Sequence, residues 1–121
     1  MRSEATIVEH PIDRERHVVA IRGDVDLFTA SELKEVFAQA IEAGRIRIIV
    51  DLAETTFLDS SALSVLMVAH KRLRSCDGAL AIVNLNENLR KIFKITGLEQ
   101  TFTILPTRDA ALEAVSSAST A

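Results

Sequence analysis

Two hydrophobic periods alternate along this chain of 121 residues, and each change of period marks the boundary of a predicted element. Runs of β-branched and aliphatic residues are typical of strands. Such runs occupy residues 6–9, 17–22, 46–50, 79–83 and 101–105. Between the later runs, apolar residues stand three and four positions apart, which predicts a helix with one buried face in each segment. The predicted order is therefore ββαβαβαβα.

The first helix has both a start and a stop signal. Thr29 and Glu32 have the spacing of a capping box, in which each side chain accepts a hydrogen bond from the backbone N–H of the other residue. We therefore expect this helix to begin near Ala30. Gly44 can end it in the left-handed conformation.

The fold class follows from the order of these elements. Parallel neighbours need a long crossover, which is usually helical, so helices between consecutive strands predict a mostly parallel sheet. We expect a single α/β domain over residues 1–121, with an N-terminal strand pair and about four helices. Residues 5–115 should form the ordered core. Residues 116–121 are small and polar, and we expect them to fray.

Small polar residues collect where two strands are predicted to lead into helices. Asp59, Ser60 and Ser61 directly precede the apolar face of the second helix, so they form an N-cap signature. In a parallel sheet such groups gather beyond the carboxyl ends of the strands, where Asp24 and Asp26 should join them. A helix N-terminus carries partial positive charge, so the fold should tolerate a phosphate on a serine there. Ser60 or Ser61 is therefore a candidate switch.

Composition and charge exclude several kinds of partner. The net charge is −3 and the chain has no Trp or Tyr, so it lacks the basic stripe and the stacking platform that nucleic acids need. No apolar segment resembles a signal peptide or a membrane span. Cys76 is the single cysteine and cannot form an internal disulfide. We expect a cytoplasmic protein that binds neither membrane nor nucleic acid directly.

The histidines give no sign of a metal site. His10, His17 and His70 lie far apart in sequence, without the spacing of metal ligands. His70 is expected on the surface of the second helix. Nothing in the sequence around Cys76 supplies the cationic field that would make it a reactive cysteine. The sequence therefore predicts no metal and no cofactor.

Three segments together resemble a known family. They are Gly23-Asp-Val-Asp-Leu-Phe-Thr-Ala30, Ile49-Val-Asp-Leu52 and Phe57-Leu-Asp-Ser-Ser-Ala-Leu63. These segments look like the signatures of the STAS domain, and specifically of bacterial anti-sigma factor antagonists. The Asp-Ser-Ser segment would be weak evidence alone, but it occurs here with the upstream Gly-x-x-Asp-x-x-Thr-Ala pattern. The similarity extends from the first strand to the fourth helix.

The resemblance implies a regulatory mechanism. In this family an anti-sigma factor that is an ATP-dependent serine kinase phosphorylates the serine after the aspartate, and a phosphatase reverses the step. The matching residue here is Ser60. The unmodified protein would bind the anti-sigma factor and so free a sigma factor, whereas the phosphorylated protein would not bind. The residues that this resemblance assigns to the partner surface are Asp24, Asp26, Thr29, Asp59, Ser60, Ser61 and Ala62.

Ala62 departs from the family pattern, which usually has Gly at this position. An early helical residue has negative φ, so Ala should fit the backbone. We expect the added methyl to lie on the docking surface, where it could change the choice of partner.

Two other functional classes fit less well. In a phosphoacceptor receiver domain Asp51 would take the phosphoryl group, but that chemistry needs paired acids after the first strand and a lysine at the end of the last strand. The residue before Pro106 is Leu105, and the acids near Gly23 follow a later strand. A hydrolase with Ser60 as nucleophile would need a Gly-x-Ser-x-Gly elbow, which the chain lacks. We therefore expect no enzyme.

The remaining alternative keeps the fold and changes the role. A STAS domain can serve as a scaffold or a ligand-binding module that no sigma-factor kinase switches. Failure of every kinase to modify Ser60, together with binding of a small ligand, would favour that alternative.

Overall fold

Strands and helices alternate along the chain after an initial strand pair. The computed structural model of the protein describes residues 5–117. The strands are β1 (Thr6–Pro11), β2 (Arg16–Val25), β3 (Arg47–Leu58), β4 (Ala79–Val83) and β5 (Thr103–Leu105). The helices are α1 (Leu27–Glu42), α2 (Ser60–Ser75), α3 (Glu87–Ile95) and α4 (Arg108–Ser117), with a short 3₁₀ helix at Leu98–Gln100.

The five strands form one sheet in the order β1-β2-β3-β4-β5. β1 pairs with β2 in the antiparallel sense, and the other neighbours are parallel. This arrangement confirms the predicted α/β class with an N-terminal hairpin. Because every parallel step passes through a helix, the carboxyl ends of β2, β3 and β4 lie along one edge of the sheet.

The sheet separates two apolar layers. Alternate residues of a strand point to opposite faces, so Val19 joins the larger core while neighbouring Val18 joins the smaller one. The larger core lies under α1, α2 and α3, and Leu33, Leu66 and Phe93 are buried there. α4 covers the other face of the sheet with Ala111 and Val115 among the buried residues. α1 and α2 are therefore neighbours in one helical layer.

β3 is longer than its apolar run. It continues to Leu58, well beyond the apolar run that ends at residue 50, because β2 continues beside it through a register shift. Polar residues fit this part of the ladder when their hydrogen bonds are satisfied. Thr55 is buried, and its hydroxyl donates to the carbonyl of Ile21 at 2.7 Å. The extension carries the strand directly to the first residues of α2.

The structure also corrects the prediction for His70. The ring lies in edge contact with Phe102, with 5.4 Å between the ring centroids, and its Nδ1 atom is buried without a hydrogen-bond partner in the described chain. Burial lowers the pKa of His70 below its usual 6.5, and the nearby Arg74 charge lowers it further. This side of α2 packs against Phe102, which directly precedes β5, and is not free surface.

No helix in residues 5–117 is both long enough and apolar enough to cross a membrane. The same residues contain no group of three or more side chains that could hold a metal ion. Helix α4 includes the first two residues of the segment that we expected to fray, and the rest of that segment lies outside the described residues.

Candidate partner-binding site

Two helices begin side by side at the carboxyl edge of the sheet. In the ladder between β2 and β3, Val25 is level with Leu58. One residue later, the backbone N–H of Asp59 donates to the carbonyl of Val25 at 3.2 Å. This hydrogen bond ties the two strand exits together. It brings the starts of α1 and α2 to the same part of the surface.

Asp59 caps α2, and neither serine does. Its backbone is extended, and its carboxylate atom Oδ1 accepts from the N–H of Ala62 at 3.0 Å and from the hydroxyl of Ser61 at 2.5 Å. Asp is among the residues preferred at N-caps, and of the three residues in the predicted N-cap signature Asp59 takes this role. Ser60 is the first residue of the helix and is exposed. Within residues 5–117 its hydroxyl makes no hydrogen bond.

The start of α1 repeats this arrangement. Asp26 is the N-cap, and its Oδ1 accepts from the N–H of Thr29 at 3.0 Å and from the hydroxyl of Thr29 at 3.2 Å. The predicted capping box is therefore wrong. Thr29 is the third residue of a helix that begins at Leu27, because an aspartate three positions earlier satisfies its N–H. Glu32 is exposed within the helix.

Asp24 belongs to β2 and not to a turn. Its carboxylate accepts a short hydrogen bond from the hydroxyl of Thr56 on β3. Gly23, with φ of 92°, lies at an irregularity in the pairing of β2 with β3, where residues with a side chain fit poorly. Together with Asp26 and Asp59, Asp24 adds a third carboxylate to this edge.

Two of the predicted surface residues are buried. Thr29 is 6% exposed, and Ala62 is fully buried in the larger core. The expectation that the methyl of Ala62 lies on a docking surface is therefore wrong, because this side of α2 faces the sheet. Both residues support the helix starts from within. The exposed members of the predicted set are Asp24 and Ser60, while Asp26, Asp59 and Ser61 are half-buried.

A group of exposed apolar residues along the carboxyl edge of the sheet was missed by the sequence analysis. Four large side chains lie at or just beyond the carboxyl ends of β2, β3 and β4 and are between 49% and 72% exposed. We call Leu27, Phe28, Phe57 and Leu85 the apolar rim. The sequence did contain a signal, since Phe28 is out of helical phase with the buried residues of α1. Exposed apolar residues along one edge of a domain are typical of a binding surface.

Asp51 does not have the surroundings of a phosphoacceptor. It lies inside β3, and its Oδ2 atom accepts from the guanidinium Nε of Arg108 at 2.6 Å. Its Oδ1 atom accepts from the backbone N–H of Ala53 at 2.9 Å. A carboxylate with both oxygens engaged in this way ties α4 to the sheet.

Comparisons with known proteins agree with this architecture. The family model of the STAS domain matches residues 8–111. The anti-sigma-B factor antagonist of Listeria monocytogenes is 32% identical over 80 residues, which cover 66% of this chain and 70% of the relative. An anti-sigma factor antagonist from Mycobacterium paratuberculosis is similar in structure, with a TM-score of 0.82 and 28% identity over 93% of this chain and 95% of that one.

A third similarity concerns a phosphorylated protein. The Bacillus cell fate determinant SpoIIAA, solved in its phosphorylated form, matches 91% of this chain and 99% of its own length. The TM-score is 0.73, and the identity of 22% supports the shared fold alone.

Anti-sigma factor antagonists are regulatory proteins and not enzymes, which confirms the expectation that this chain is not an enzyme. The family match and the shared architecture show that the chain belongs to the STAS domain family and is similar to its anti-sigma factor antagonists.

Proposed function

We propose that the protein is an anti-sigma factor antagonist that acts by partner switching, with Ser60 as the phosphorylation site. One observation carries this proposal. The exposed hydroxyl of Ser60 lies on the first residue of α2, at the paired exits of β2 and β3 where Leu27 and Phe57 of the apolar rim also lie. In the unmodified state this surface binds an anti-sigma factor and so releases a sigma factor. The site of modification and the site of binding are then the same.

The hydrogen bonds at the start of α2 favour Ser60 over Ser61 as the target. The hydroxyl of Ser61 donates to the carboxylate of Asp59, which holds it against the helix cap. A kinase that modified Ser61 would have to break this bond. The hydroxyl of Ser60 has no such partner in the described chain and can enter a kinase active site without local rearrangement.

A phosphate on Ser60 would change the binding surface much more than the fold. A phosphoserine carries about −1.5 to −2 charges near neutral pH, in addition to the carboxylate of Asp59 beside it. Apolar side chains of the rim cannot be buried next to such a charge without a large desolvation cost. The helix N-terminus, in contrast, stabilises an anion by its dipole. The switch therefore acts on the interface, and the domain stays folded.

The partners follow from this mechanism. The kinase is an anti-sigma factor with serine kinase activity, and a phosphoserine phosphatase restores the unmodified form. Control of a sigma factor takes place in the cytoplasm and requires no direct contact of this chain with nucleic acid. The relative that has been solved in a phosphorylated form supports modification as a property of this fold.

Phosphosite mapping tests the proposal. The protein is incubated with ATP and each anti-sigma kinase encoded in its genome, and the modified residue is located by mass spectrometry. We expect Ser60→Ala to abolish labelling and Ser61→Ala to reduce it less. Equal labelling of the Ser60→Ala protein would reject Ser60 as the target. Absence of labelling by every kinase would favour the scaffold alternative.

A further inference from the structure

An apolar groove separates α1 and α2 on the solvent side of their helical layer. Its volume is about 240 Å³. Its floor is formed by Phe37, Ile41, Val65 and Ala69, and Val68 stands on its edge with 55% of its surface exposed. These residues lie in the second half of α1 and in the middle of α2. The groove is therefore separate from Ser60 and from the carboxyl edge of the sheet.

The charged residues of the groove are all positive. Lys34 is the first residue of α1 that lines it, and Arg72 is the last residue of α2 that does. The two helices run in the same direction, since each follows a parallel strand, so the two cations mark opposite ends. Within residues 5–117 neither side chain has an ion-pair partner, and no acidic residue lines the groove. An apolar slot with unpaired cations complements an apolar ligand with an anionic end.

The dimensions favour a slender ligand. The groove volume is about 240 Å³. It lies below the roughly 300–1,000 Å³ of sites that hold drug-sized ligands with ring systems. The lining part of α1 runs from Lys34 to Ile41, which is about 10 Å at ~1.5 Å per residue. An extended alkyl chain of medium length fits such a slot.

We propose that this groove binds a medium-chain fatty acid, with its carboxylate at Arg72 and its chain running toward Lys34. The guanidinium group offers two parallel N–H donors to a carboxylate, which an ammonium group does not. Arg74 lies in the same last turn of α2 as Arg72 and adds positive charge at this end of the helix. At the other end of the groove Lys34 is followed by Glu35, which weakens its field.

Chain length and charge give the first test. Hexanoate, octanoate and decanoate are titrated into the full-length protein below their micelle concentrations, with calorimetric detection. Burial of each added methylene is worth about fourfold in affinity, so each two-carbon step should strengthen binding by at least about tenfold. Octanol should bind at least about tenfold more weakly than octanoate. Affinity that does not depend on chain length, or equal affinity for octanol, would overturn the proposal.

Two variants with matched controls locate the ligand. Arg72→Ala should weaken octanoate binding by about tenfold or more, whereas Lys71→Ala, an exposed cation outside the lining, should change it little. Val68→Asp should abolish binding by bringing a negative charge to the slot. Ile95→Asp, at a residue of α3 that is 84% exposed, should not. Thermal unfolding of all four proteins shows whether each remains folded. Equal losses in a variant and its control would reject the groove as the site.

Amide resonances distinguish the other possible occupants. In ¹⁵N-labelled protein, octanoate should shift the amides of Ala38, Val65 and Ala69 and leave those of the apolar rim unchanged. If the groove amides shift with protein concentration and not with octanoate, the groove is an interface between copies of the chain and the proposal fails. This outcome is independent of the phosphosite at Ser60, so the two proposals can fail separately.

Discussion

The starts of α1 and α2 are two versions of one structure. Each begins directly after a parallel strand, and each has an aspartate at its N-cap. Asp26 and Asp59 both accept a hydrogen bond from the backbone N–H three residues later and another from a nearby hydroxyl. The two local folds are therefore equivalent. What distinguishes them is the first residue after the cap.

That residue is Leu27 in α1 and Ser60 in α2, and both are exposed. Leucine offers a permanent apolar contact and cannot be modified by a kinase. Serine contributes little apolar area but can accept a phosphate. Two helix starts with the same aspartate cap can therefore have different roles. The start of α1 supplies binding energy, and the start of α2 supplies control by phosphorylation.

The largest effect is expected at the apolar position. Leu27→Asp should weaken binding of the anti-sigma factor by at least ~2 kcal/mol, which is the loss typical of a binding hot spot. The fold should not suffer, because an acid in the first turn interacts favourably with the helix dipole. Calorimetric titration against the purified partner measures the loss. Ile95→Asp is the matched control, and equal losses in the two variants would show that Leu27 is not part of the interface.

The two caps should differ in their contribution to stability. Removal of an N-cap aspartate costs about 0.5–2 kcal/mol. Asp26→Ala should fall at the upper end of this range, because it also leaves the buried hydroxyl of Thr29 without its acceptor. Asp59→Ala should cost about 1 kcal/mol, because Ser61 is half-buried and water can replace the lost acceptor.

Urea denaturation of the two cap variants measures both free energies of unfolding. Asp26→Asn and Asp59→Asn keep a cap oxygen and should recover most of each loss. A larger loss in Asp59→Ala than in Asp26→Ala would contradict the burial argument.

The smallest effect concerns the buried sides of the helices. α2 carries His70, whose pKa is lowered mainly by burial, whereas the buried residues of α1 are not titratable. The neutral imidazole is favoured in the folded protein, while the unfolded chain takes up a proton near the usual pKa of 6.5. The contribution of neutral His70 to the free energy of unfolding is therefore complete above pH 6.5. It is lost as the pH falls from 6.5 through the lowered pKa of His70 in the folded state.

His70→Phe removes the titration and keeps a ring beside Phe102. We expect the free energy of unfolding of the unaltered protein to fall relative to that of this variant between pH 7.5 and pH 5.5, a range set about the histidine pKa. If the free energies of unfolding of the two proteins changed with pH in parallel, His70 would take up a proton equally readily in the folded and the unfolded chain, which would contradict this prediction.

The sheet and helix order could be predicted from the sequence because each apolar run has one dominant period. Runs such as residues 48–50 and 80–83 are buried in the sheet, and their continuous apolar character identifies them as strands. The extension of β3 to Leu58 could not be predicted in this way. Its polar residues are held by pairing with β2, which is a contact distant in sequence.

The candidate site was predicted in position but not in detail. The Asp-Ser-Ser pattern indicated the start of α2, but several side chains there could act as the cap. Local sequence does not decide between Asp59 and a serine, because both residue types cap helices well. The choice depends on where β3 ends and on the hydrogen bond from Asp59 to β2. The burial of Ala62 likewise depends on how α2 is rotated against the sheet.

The most direct test of the account compares the affinity of the anti-sigma factor for three forms of the protein by calorimetric titration. The form phosphorylated at Ser60 should bind at least tenfold more weakly than the unmodified protein, which corresponds to ~1.4 kcal/mol. Ser60→Asp should reproduce part of this loss, since a carboxylate has less charge and fewer acceptor oxygens than a phosphate. Its circular dichroism should remain that of the folded domain, as expected for an anion at a helix N-terminus. Equal affinities of the phosphorylated and unmodified forms would contradict a charge-gated switch at the start of α2.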